Sequence, residues 1–64
     1  MTRLIRKEEV IKLTGLSKSS IYDRMNAGKF PKSVPLGGRS VAWVESEVTL
    51  WVESQIAQRD EVTA

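Results

Sequence analysis

One short run, Thr14-Gly15-Leu16-Ser17-Lys18-Ser19-Ser20-Ile21-Tyr22, limits this chain to few folds. Gly15 is free to take the positive φ that ends one helix, and Ser17 can accept a hydrogen bond from the unpaired N–H groups that open the next. Two helices therefore meet across a very short connection. Before the turn, Glu9-Val10-Ile11-Lys12-Leu13 carries apolar residues on one side, and after it Ile21 points back to meet them. An angled pair of helices sharing one core needs this spacing, which is the signature of a helix-turn-helix.

The chain has 64 residues, enough for one small domain, 1–64, of a size that buries only about 60% of the surface its unfolded form exposes. It has no cysteine and no histidine. Disulfides, a thiolate zinc site, the usual general base and the commonest metal ligand are thereby removed. No spacing pairs a nucleophile with a base, so neither an enzyme nor a cofactor, metal or small-molecule ligand is expected. No apolar run approaches the roughly 20 residues of a membrane span, and the opening Met1-Thr2-Arg3-Leu4-Ile5-Arg6-Lys7 is too quickly charged for a signal peptide. The expectation is a soluble, cytoplasmic protein.

The net charge of +2 hides an uneven distribution. Residues 1–39 hold nine of the ten Lys and Arg against three acids, a balance of +6, and residues 40–64 come to −4. Such a basic half is the electrostatic footprint of a polyanion binder, since each cation placed near a phosphate releases condensed counterions. It is equally what a solvated basic surface would look like.

The first helix is expected from Arg6 or Lys7 to Thr14, with Glu8 and Glu9 in its first turn, where the macrodipole favours acids. Val10 and Leu13 should face inward, with Ile11 beside them. Ahead of it, Leu4 and Ile5 suit either a short edge strand or a simple cover for the core. The second helix is expected from Lys18 to Ala27, capped by Ser17 and stopped by Gly28. A helical wheel puts Ile21 and Met25 on its inner face and Ser19, Tyr22, Asp23 and Asn26 on the opposite one, with Lys18 on one flank and Ser20 and Arg24 on the other. This pattern fits a helix lying in the major groove, where short hydroxyl and amide side chains reach base edges and N-terminal N–H groups meet phosphate. An ordinary amphipathic surface helix is the plainer reading.

Pro31 biases Phe30 towards an extended conformation, and Phe30 reads as core. Val34-Pro35-Leu36, then Gly37-Gly38, then Arg39-Ser40-Val41-Ala42-Trp43 forms two apolar runs around a turn signal, as in a β-hairpin. Pairing Leu36 with Arg39 or, in a longer loop, with Val41 would keep Val34, Leu36, Val41 and Trp43 on one face. Pro35 lacks an N–H and belongs on an edge strand. A hairpin straight after a recognition helix is a wing, and Arg39 near its tip would reach the minor groove or a flanking phosphate, unless it is only solvated. Val48, Trp51, Val52 and Ile56 then recur at helical spacing, so a third helix should run from Glu45 or Ser46 to about Gln58 and close the core. Trp43 and Trp51 read as core residues, Leu50 lies on a flank of this stripe, and 59–64 reads as a frayed polar tail.

The expected fold is thus a small, mostly helical winged helix-turn-helix: three helices, with a two-stranded β-hairpin wing between the second and third. Across Leu4 to Ile56 the chain resembles the AlpA-type phage and prophage regulators, close in architecture to the small excisionases and to the DNA-reading domain of MerR-type regulators. The resemblance is carried by Glu9-Val10, Thr14-Gly15-Leu16-Ser17, Ser20-Ile21-Tyr22, Gly28-Lys29-Phe30-Pro31, Leu36-Gly37-Gly38-Arg39, Trp43, Ser46-Glu47-Val48 and Trp51. It implies a protein that binds duplex DNA as a transcriptional regulator of a mobile element, as an excision factor, or as both. The chain departs from the family at Asp23, where many members carry a basic residue. It also departs from generic helix-turn-helix motifs at Ile11, where a small residue is preferred.

The residues expected to contact nucleic acid are Lys18, Ser19, Ser20, Tyr22, Asp23, Asn26 and Arg39. The partner is double-stranded DNA, with further copies of the chain on repeated sites, since one such module buries only about 600–1,000 Å² on DNA. A protein-interaction adaptor using the same basic face is the alternative, because fold alone does not fix function.

Overall fold

Where the sequence turns at Gly15, so does the backbone. In a computed structural model that describes residues 2–63, helix α1 (Lys7–Thr14) ends at Gly15 with φ 73°, and helix α2 (Lys18–Asn26) begins three residues past it. The Gly15 N–H donates to the Ile11 carbonyl at 2.8 Å, closing the last turn as the left-handed cap requires. Strand β1 (Leu4–Ile5) precedes this corner. Strands β2 (Val34–Gly37) and β3 (Ser40–Val44) and helix α3 (Glu45–Thr63) follow it. The architecture is the expected one, three helices with the β2–β3 hairpin between α2 and α3, and Leu4–Ile5 takes the strand option. The antiparallel sheet has the order β1-β3-β2, with Ile5 opposite Trp43. The Glu45 N–H donates to the Arg3 carbonyl at 2.8 Å, and Arg3 forms an ion pair with Glu45. That pair is exposed and contributes little to stability.

A single core joins all the helices to the sheet: Ile5, Val10, Ile21, Phe30, Trp43 and Val48, with Ile11, Leu16, Met25, Val41 and Trp51 packed around it. Trp43 is fully buried, and its Nε1–H donates to the Pro31 carbonyl at 3.2 Å. A buried indole needs such a partner for its one polar atom. Trp51 is half-buried, stands edge-on to Phe30 with 4.8 Å between ring centres, and donates through Nε1 to the Lys29 carbonyl at 2.8 Å.

Three expectations fail in instructive ways. Leu13 does not face inward; it is 44% exposed. The inner stripe of α1 is Lys7, Val10, Ile11 and Thr14, one step round the wheel. Thr14 can sit there because its Oγ1 donates to the Val10 carbonyl and accepts from the Leu16 N–H, so its hydroxyl carries no unmet bond. Secondly, the hairpin is not in either expected register. Val34 pairs with Ala42, Pro35 with Val41 and Gly37 with Ser40, with an irregularity at Leu36. The turn is therefore Gly38-Arg39, Leu36 bulges outward at 47% exposure, and Val34 shares a face with Ala42 rather than with Trp43. Pro35 does stand on an edge strand.

The third departure is in α3, which runs past Gln58 to Thr63; Ala64 lies outside the described residues. Its first turns pack Val48, Trp51 and Val52 against the body, but every residue from Glu53 to Glu61 is exposed, and Ile56, expected in the core stripe, is 46% exposed. The helix is simply longer than the body beside it, at about 28 Å for 1.5 Å per residue. Among the described residues no helix is long and apolar enough to cross a membrane.

Candidate nucleic-acid interface

Helix α2 is built to be held on one side only. Its entry is fixed by Ser17, whose Oγ accepts from the Ser20 N–H at 3.2 Å, satisfying one of the free donors of the first turn. The Ser17 hydroxyl also donates to the Ser20 hydroxyl at 3.1 Å. Ser20, half-buried, thus spends part of its bonding capacity on the cap. Ile21 is fully buried and Met25 packs against the core, which turns Ser19, Asp23 and Asn26 out to solvent. Lys18 is exposed at the helix start.

Tyr22 behaves differently from the rest of the expected outer stripe. It is half-buried, with its ring edge-on to Trp43 at 6.5 Å between centres and 62° between planes. It therefore leans towards the sheet and forms the sheet-side flank of α2. On that flank Tyr22, Arg39 and Val41 line a shallow depression together with Arg6, Lys7 and Glu8 from the start of α1. Arg39, exposed in the hairpin turn itself, so stands on the same side of the molecule as α2.

The other flank carries a second open depression, lined by Ser20, Asp23, Arg24, Ala27 and Lys29. Among the described residues, none of Arg6, Lys7, Lys18, Arg24, Lys29 and Arg39 enters an ion pair. Their charges are available to an outside partner. Of the sequence-derived site residues, Lys18, Ser19, Asp23 and Asn26 share the exposed side of α2, Tyr22 and Arg39 meet on one flank, and Ser20 lies on the other.

A family model described as "Prophage CP4-57 regulatory protein (AlpA)" matches residues 3–56, from the residue before β1 to well into α3. The chain belongs to the AlpA family of prophage regulatory proteins. The AlpA match contains every element that builds the interface. An uncharacterized protein of Enterobacteria phage P4 is 51% identical over 57 residues, covering 89% of this chain and 65% of its own length; the chain thus spans less than two thirds of that relative. The DNA-binding transcriptional activator AlpA of Escherichia coli (strain K12) is 36% identical over 59 residues, covering 83% of this chain and 84% of its own length.

Reading the sequence alone leaves Arg6, Lys7 and Lys29 out of the interface. Arg6 and Lys7 lie more than 30 residues from Arg39, and only the assembled fold brings them beside it. A local signal did exist for Lys29: a glycine after a helix end folds the chain back, returning the next residue to the last turn.

Proposed function

We propose that this AlpA-family chain is a cytoplasmic, sequence-specific binder of double-stranded DNA that regulates transcription from a prophage or other mobile element. Helix α2 lies in the major groove with Ser19, Asp23 and Asn26 towards base edges, and Arg39 on the β2–β3 wing grips the flanking backbone. The observation that carries this reading is the meeting of the Tyr22 flank of α2 with Arg39 in one depression, beside an exposed polar strip. The groove is about 12 Å wide and a helix with its side chains is about 10–12 Å across, so α2 fills it and the wing stands over its rim. The relative from Escherichia coli named as a DNA-binding transcriptional activator supports the same reading.

In this arrangement short side chains select sequence. Asn26 is the right type for a bidentate contact to adenine, and Asp23 accepts from the amino group of cytosine. Lys18 and the first N–H groups of α2 meet phosphate, with Ser20 beside them. Several copies act on repeated sites, because a single module of this size covers little DNA.

An excision role uses the same surface, and the position of the bound sites decides between the two. Genome-wide footprinting should place the protein at a promoter; clusters beside an integration end would assign excision instead. Binding itself is tested by fluorescence anisotropy in about 150 mM salt, where screening is substantial. A footprinted duplex should bind more tightly than its scrambled version, and Arg39→Ala should weaken both and lower the salt dependence. Equal affinity for the two duplexes would refute sequence reading. No duplex binding even at low salt, with a stable protein partner recovered instead, would favour an adaptor.

A further inference from the structure

The wing side of α2 has its cation in Arg39, but the opposite side is also basic and has a built geometry. After Asn26 the chain passes through Ala27 to Gly28, which takes φ 72°. The Gly28 N–H donates to the Met25 carbonyl at 3.1 Å and the Lys29 N–H to the Arg24 carbonyl at 2.8 Å. This pair of bonds is a Schellman closure, and it ties the backbone of Lys29 to that of Arg24. The corner is clamped a second time from α3, where the Trp51 indole donates to the Lys29 carbonyl at 2.8 Å. Arg24 and Lys29 are both exposed, line one depression and enter no ion pair among the described residues. Asp23 is the acid of that depression, and the two cations outnumber it.

We infer that Arg24 and Lys29 form a second phosphodiester-binding site, which grips the DNA strand opposite the one held by Arg39. This rests on the proposed placement of α2 in the major groove. A helix that fills a groove about 12 Å wide has one phosphate backbone along each of its flanks. Arg39, with Arg6 and Lys7 beside it, occupies the Tyr22 flank, and Arg24 with Lys29 occupies the other. Gripping both backbones fixes the roll of α2 about its own axis, which in turn decides whether Ser19, Asp23 and Asn26 meet base edges. Phosphate contacts position and base contacts specify; here the positioning is two-sided.

The test compares the full chain with Arg24→Gln/Lys29→Gln and with Arg39→Ala, using a footprinted duplex, its salt dependence and ethylation interference on each strand. Glutamine at 29 keeps the backbone bonds to Arg24 and Trp51. Circular dichroism and thermal melting check folding, and Lys29→Gln alone serves if the double variant melts early. For the double variant the slope of log affinity against log salt should fall by about 1.8, at about 0.9 per phosphate released, so its deficit should be roughly tenfold larger at 50 mM than at 200 mM salt. Interference should vanish on one strand for this variant and on the other for Arg39→Ala. Unchanged slope and interference in the presence of normal wild-type binding would overturn the second site and leave the DNA-binding reading standing. A lowered melting temperature with an unchanged slope overturns it too, since that is the signature of cations that serve only the C-terminal dipole of α2. Failure of the wild type to bind any duplex would overturn the functional reading itself, and this site with it.

Discussion

The two sides of α2 differ in what holds them in place. The inner side, Ile21 with Met25, is fixed by packing: Ile21 is fully buried among residues drawn from β1, α1, the 27–33 loop, β3 and α3. The outer side, Ser19, Asp23 and Asn26, is exposed, with no side-chain hydrogen bond or ion pair of its own among the described residues. One helix thus carries a structural face that tolerates little change and a solvent face that the fold scarcely constrains. Stability and recognition should therefore separate when the two faces are altered independently.

The sharpest way to break this contrast is Ile21→Ala. Truncating a buried isoleucine costs about 2–5 kcal/mol, a large part of the roughly 3–10 kcal/mol available to a domain of this length at 0.05–0.15 kcal/mol per residue. Urea titration should find the variant largely unfolded; a native-like midpoint would mean that α2 is not held by its inner face. Next in size, Asn26→Ala should leave the melting temperature within error but lower discrimination between the footprinted duplex and a single-base variant by about 1–3 kcal/mol. An equal loss on both duplexes would make Asn26 a backbone contact. The smallest effect is expected at Ser17→Ala, where removing the cap should cost about 1 kcal/mol of stability, measured by denaturant midpoint. Ser17 lies on neither face, so its variant should retain sequence preference under conditions in which it is folded.

How much of this was legible in the sequence depends on how local the cause was. The Gly15–Ser17 corner is written in two residues whose backbone and capping preferences act over a few neighbours, and its helices fall within a residue of their expected bounds. Leu13 shows the limit of a helical wheel. The wheel supplies a period, but ranking positions by apolarity hides that Thr14 can sit inside, its hydroxyl bonded locally to the Val10 carbonyl and the Leu16 N–H. The hairpin was readable and its register was not, since the irregularity at Leu36 puts one extra residue into β2 between Pro35 and Gly37, and an apolar pattern that assumes strict alternation does not announce such an insertion. Tyr22 followed the same rule: its turn towards Trp43 depends on where the sheet lies. The flanking cations were counted correctly in the charge balance, yet their grouping around α2 required a fold that brings the starts of α1 and β3 together.

The tie between Trp51 and the Lys29 carbonyl has a practical consequence. The chain contains two tryptophans: Trp43 is sealed inside, and Trp51 is half open to water, bonded to a corner of the basic surface. Their emission should therefore resolve into a shielded component and a quenchable one, and the second gives the molecule an intrinsic optical gauge of what happens at that corner, with no dye attached.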